Sequence, residues 1–169
     1  MRYCFTLLFL IMLLLASQAQ QCREICIKKK HFNFKLLKKE GYLIDTAKIR
    51  IDGVYVLQNN STGIVLFIRF FKNGSFYKSC DYCSYPKTSD FNNLKYGSYG
   101  NYNVKNNTVK AESYSPYAGY YFRYYSIEDN KIISRYTSNR SWWPKPKLKE
   151  SPELIYEFKK MELTSKPFW

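Results

Sequence analysis

Three dipeptides, Asn73-Gly74, Asn106-Asn107 and Asp129-Asn130, constrain the fold of this chain more than any other feature, because each separates two short apolar-alternating runs. Asn, Asp and Gly tolerate the positive φ angles of two-residue turns, so each dipeptide predicts a β-hairpin. Eight such runs can be counted: Gly53–Leu57, Ile64–Phe71, Ser75–Cys80, Tyr99–Lys105, Thr108–Ser113, Tyr120–Ile127, Lys131–Thr137 and Leu154–Lys160. Their length and spacing predict an all-β, antiparallel fold of about eight strands, an up-and-down barrel or a sandwich. The 17 Tyr and 12 Phe residues suit pleated, half-buried surfaces and point the same way.

The turn at Asn106-Asn107 predicts a register. Lys105 pairs with Thr108, Val104 with Val109 and Tyr102 with Ala111, so Val104, Val109, Tyr102 and Ala111 share an apolar face. Asn103, Lys110, Asn101 and Glu112 share the polar one. The turn at Asp129-Asn130 sets Glu128 opposite Lys131 and Ile127 opposite Ile132. The run before that turn has Tyr120, Phe122 and Tyr124 on one side and Tyr121, Arg123 and Tyr125 on the other, so its two faces cannot be told apart by polarity. Lys87 to Tyr96 reads as a polar connection with room for one helical turn, and Ser138 to Pro152 as a Pro- and Lys-rich loop.

Residues 1–19 have the layout of a cleavable secretory signal: Arg2, an apolar run from Cys4 to Leu15, then Ser17-Gln18-Ala19 for the peptidase. The expected parts are therefore a signal at 1–19, a basic lead-in at 20–50, a β domain at 51–163 and a C-terminal tail at 164–169. The compartment is periplasmic, cell-surface or extracellular, with no transmembrane helix after signal removal. Cys22, Cys26, Cys80 and Cys83 remain, an even number in an oxidising compartment, and predict two disulfides. Bridges between the Cys22/Cys26 pair and the Cys80/Cys83 pair would stabilise by about 3–5 kcal/mol in the chain-entropy model. Local bridges within each pair, a four-thiolate zinc site and a lipid anchor on Cys22 are the alternatives.

The formal charge is +14, of which the leader carries only Arg2. Such a balance favours acidic partners, here an anionic envelope component or protein rather than nucleic acid. The chain has one histidine, His31, in the lead-in. No nucleophile–base constellation, metal-ligand motif or phosphate-binding glycine loop is recognisable, and no cofactor or metal is expected. Glu153 and Glu157 would share a strand face roughly 13 Å apart, beyond the about 9.5 Å that a glycosidase pair allows. The expectation is a protein that is not an enzyme.

Ile51-Asp52-Gly53-Val54-Tyr55-Val56, Phe67-Ile68-Arg69-Phe70-Phe71-Lys72-Asn73-Gly74 and Tyr96-Gly97-Ser98-Tyr99 resemble the lipocalin-like domains of small secreted bacterial proteins. Gly53-Val54-Tyr55 stands where lipocalins carry Gly-x-Trp, with Tyr in place of Trp. The resemblance covers about Ile51 to Met161 and implies an eight-stranded barrel with a small apolar or amphipathic ligand in its mouth. Tyr55, Phe67, Tyr102, Phe122 and Tyr124 are the expected wall residues. The rival site is an outer surface in which Trp142 and Trp143, beside Arg140 and Lys145, meet a membrane, polysaccharide or protein.

Overall fold

The computed structural model describes residues 48–94, 97–115, 119–139 and 148–166. Eight antiparallel strands follow one another around a closed barrel: β1 (Gly53–Gln58), β2 (Val65–Phe70), β3 (Ser75–Ser79), β4 (Gly97–Lys105), β5 (Thr108–Ser115), β6 (Gly119–Glu128), β7 (Lys131–Asn139) and β8 (Lys149–Lys160). One helical turn, α1 (Thr88–Asn92), lies in the β3–β4 connection. Closure pairs β8 with β1, Gly53 opposite Lys160 and Tyr55 opposite Phe158, so no strand edge is left open. The signal at 1–19, the lead-in as far as residue 47, Cys22, Cys26, His31, Arg140, Trp142, Trp143 and Lys145 lie outside the described residues.

The predicted pairing of β4 with β5 is the observed one, from Lys105–Thr108 to Asn101–Glu112. Asn106 and Asn107 both take positive φ, 48° and 59°. Glu128 faces Lys131 and Ile127 faces Ile132 across the β6–β7 turn, where Asp129 has φ 49°. The β2–β3 turn differs from expectation. Phe71 N–H donates to the Ser75 carbonyl and Gly74 N–H to the Phe71 carbonyl, which makes a three-residue loop ending on Gly74 at φ 80°. Gly74 supplies the left-handed residue that such a loop needs.

Strand β8 begins at Lys149, five residues before the expected Leu154, although Pro152 lies in it. The register of β7 against β8 shifts between Ser134 and Tyr136, skipping from Ser134–Leu154 to Tyr136–Glu150. Pro152 falls in that irregularity, where its missing N–H removes no ladder bond.

The barrel interior at the end with the tight turns is solid. Tyr55, Ile68, Phe70, Phe76, Tyr102, Tyr125, Ile132 and Tyr156 are all fully buried there in one cluster, with Ile49 of the lead-in. Arg50 closes this end from outside. Its backbone N–H donates to the Tyr55 hydroxyl at 3.0 Å, and its guanidinium sits 4.0 Å over the Phe158 ring while paired with Asp52. A second cluster lies outside the sheet. Val54, Val56, Val65, Phe67, Tyr77 and Tyr99 on the outer faces of β1–β4 pack against Phe91 of α1, Leu94, Met161 and Leu163. The tail is tied to this layer: Asn92 Oδ1 accepts from Thr164 N–H and Ser165 N–H, and Arg69 donates to the Ser165 hydroxyl and carbonyl.

Gly100 permits the closest approach in the barrel. A Cβ there would collide with the Glu112 carbonyl oxygen of β5 and the Phe76 ring of β3. Gly100→Ala is expected to lower stability by about 1–3 kcal/mol, the usual cost of overpacking. A urea midpoint unchanged from the parent would contradict that packing.

Candidate functional site

The two ends of the barrel are built differently. Tight turns close one end; the longer connections, described over 59–64 and 80–94, lie at the other. Side chains alternate across each strand, so the register decides which residues face inward. Leu57 and Leu66 are inward because they continue the Tyr55–Ile68 face. Lys78 is opposite Ile68 and Ser98, and Arg123 is opposite Ala111, so both point into the barrel. Tyr121, opposite Ser113, is inward too. At this end Leu57, Leu66, Lys78, Ser98, Tyr121, Arg123 and Leu154 all keep partial contact with solvent; at the other end Tyr55, Phe70, Tyr102, Val104, Val109 and Ile132 have essentially none, and Ile127 and Phe158 are partly buried at its margin. Gly100, Ala111 and Ser113 keep the β4–β5 wall thin between them.

The chemistry of this end is cationic and phenolic. Burial, and then the nearby Arg123, pull the Lys78 ammonium down to about 7, while Asp81 on the exposed rim acts the other way. Burial works against the Arg123 guanidinium as well, but Tyr125, Tyr121 and Tyr156 outweigh it and the net shift is upward. Burial holds the Tyr125 and Tyr156 phenols above their ordinary range, so they are neutral hydroxyls at physiological pH. Arg123 Nε and the Tyr156 hydroxyl are buried without a hydrogen-bond partner among the described residues. Each such group costs about 1–3 kcal/mol when left unsatisfied.

The expected wall residues divide. Tyr55 and Tyr102 are inside the barrel, in its solid part: Tyr102 donates to the Phe71 carbonyl at 2.9 Å and packs edge-on to Phe70 at 4.8 Å. Phe67 is not a wall residue. It faces outward and packs on Tyr77, Tyr82 and Phe91, the last at 4.9 Å. Phe122 is outward as well, under the Lys110 ammonium at 4.5 Å. Tyr124 is outward beside Arg135 and Tyr136, lining a shallow groove of about 300 Å³. The inward set on β6 is thus Tyr121, Arg123 and Tyr125, and sequence reasoning missed both interior cations. Lys78 carried one usable signal: it is two residues from Phe76, in phase with the buried face.

Outside the barrel, Glu153 pairs with Arg135 at 3.2 Å, and Glu157 with Lys131 and Lys159 at 3.4 and 3.7 Å. Each carboxylate has its own cationic partners on the surface. Among the described residues no three His, Cys, Asp or Glu side chains come together to hold a metal ion, and no helix is long and apolar enough to cross a membrane. Cys80 and Cys83, at the end of β3, are both disulfide-bonded.

No protein family, curated protein or solved structure shows significant similarity to the chain.

Proposed function

We propose that this is an exported, non-enzymatic binding protein that holds one small amphipathic molecule in the open end of its barrel. One observation carries the reading: inward-facing residues stay in contact with solvent at one end, while the other end is packed solid. A barrel of eight strands has an interior just wide enough to be filled by side chains or to hold one small ligand. Here half of it follows the first course, and the other half combines apolar walls with a few polar groups, the usual composition of a ligand site. Export follows from the leader, and the four cysteines are proposed to pair as Cys22/Cys26 with Cys80/Cys83.

The test is displacement of a fluorescent fatty probe by 1-dodecanol and by dodecanoate. One-to-one saturation is expected. Leu66→Trp, which fills the open end, is expected to abolish it with the far-ultraviolet circular dichroism unchanged. Undiminished binding by Leu66→Trp would place the ligand elsewhere and defeat the reading.

A second reading has its own observation. Tyr136, Leu148 and Ile155 on the outer side of β7–β8 are exposed large apolar residues. Tyr136 and Leu148 flank in sequence the segment that carries Arg140, Trp142, Trp143 and Lys145. An envelope-binding outer surface predicts salt-sensitive adsorption to anionic vesicles that weakens when both Trp are replaced by Ala. Adsorption that ignores salt and the Trp pair would dismiss it.

A further inference from the structure

Two cations inside one barrel need an account. Lys78 and Arg123 come from β3 and β6, on different parts of the wall, yet they are close enough for Arg123 to act on Lys78 electrostatically. The carboxylate that acts on Lys78 is Asp81, which is exposed at the rim, and the groups that act on Arg123 are phenols. Structural burial of a cation normally comes with a paired acid, because an unpaired buried charge is costly. Burial keeps the Tyr125 and Tyr156 phenols beside Arg123 neutral, so they cannot neutralise it at physiological pH.

We infer that the open end of the barrel is an anion site, in which Arg123 and Lys78, with the hydroxyls of Tyr125 and Tyr156, take the carboxylate or phosphate head group of an amphiphile. This deepens the ligand-binding reading above and rests on it. The guanidinium offers a planar fork that matches carboxylate and phosphate oxygens, and the ammonium offers a second, movable donor. Arg123 Nε and the Tyr156 hydroxyl are the unused donors of the set, both buried and both at the floor formed by the aromatic cluster. An oxyanion there would satisfy them together. The head group then sits inward and the tail runs toward the mouth along Leu57, Leu66 and Leu154, which are apolar and partly exposed.

The experiment compares four probes on the mature, disulfide-intact protein by displacement titration: dodecanoate, dodecyl phosphate, 1-dodecanol and dodecyltrimethylammonium. At least one of the two anions is expected to bind about tenfold or more tighter than the alcohol, with the cation weakest, as charge-assisted hydrogen bonds would give. The stronger anion identifies the head group. Arg123→Gln and Lys78→Met are each expected to cost anion affinity about tenfold or more and so to erase most of the preference for the anion over dodecanol.

The charged groups that act on Lys78 are Arg123 and the exposed Asp81, and burial brings the ammonium itself down to about 7. Dodecanoate affinity is therefore expected to fall between about pH 6 and 8.5 in the parent and to stay flat in Lys78→Met. Equal affinity for dodecanol and both anions, or anion binding untouched in both variants, would overturn the anion site while leaving the barrel as a ligand site. Failure of all four probes to bind would overturn the ligand-binding reading itself.

Discussion

Replacing Tyr102 by Ala is expected to lower stability by about 3–5 kcal/mol, the cost of emptying a large aromatic site in a core. Tyr102 is fully buried at the centre of the solid end, packs edge-on to Phe70 at 4.8 Å, and donates its hydroxyl to the Phe71 carbonyl at 2.9 Å. That carbonyl also helps form the β2–β3 turn, accepting from Gly74 N–H. The truncation therefore opens a cavity and removes a bond at the turn in one step. Tyr102→Phe separates the two effects and is expected to cost about 0.5–1.5 kcal/mol, the net worth of one hydrogen bond. Urea unfolding of the three proteins reads both numbers. A loss under about 1 kcal/mol for the Ala variant would mean that the aromatic end is not the stabilising core of the barrel.

The second large effect has the opposite sign. Lys78 titrates at about 7 in the folded protein against an ordinary value of 10.5. Between those values the unfolded chain binds one proton more than the folded one, so Lys78 makes stability rise with pH from about 7 to about 10. Below about pH 7 the full penalty is in force, of the order of a few kcal/mol. Lys78→Met keeps the length of the side chain and removes the charge. It is expected to be more stable than the parent at pH 6.5, with the difference shrinking toward pH 9.5. Comparing the two chains at each pH cancels the changing repulsion of the remaining lysines, and stopping at pH 9.5 avoids the buried phenols, which favour unfolding once they ionise. A parent as stable as Lys78→Met at every pH would show that Lys78 reaches water freely. A buried charge that weakens the fold is a recognised sign of a functional site, and it agrees with the anion site proposed above.

Much of the architecture was legible because hairpin turns act locally. Asn106-Asn107 set the register of β4 on β5 by itself, and a single-residue slip would have put Tyr102 and Val104 in contact with water. The faces of β6 were not legible. Both sides of that strand are aromatic, since Phe122 and Tyr124 lie against neighbours on the outside of the barrel while Tyr121 and Tyr125 lie within. Phe67 was misplaced for a related reason. The outer faces of β1–β4 are covered by α1 and by Met161 and Leu163, so an apolar side chain there says nothing about which side it takes. The early start of β8 was hidden by Pro152, which reads as a strand breaker until the bulge opposite Arg135 is seen. The interior cations were the least accessible of all, because alternation shows that Arg123 and Lys78 share a phase with aromatic residues but not that this phase points inward.

The most direct measurement is the mass of the protein isolated from its own cells, first under native and then under denaturing conditions. The native mass is expected to exceed that of the bare chain by a few hundred daltons, lost on denaturation and recovered as an acidic amphiphile in the organic extract. Alkylation before reduction is expected to find no free thiol. A bare native mass, from a protein that also takes up none of the four dodecyl probes, would contradict the claim that the barrel is built to hold a ligand.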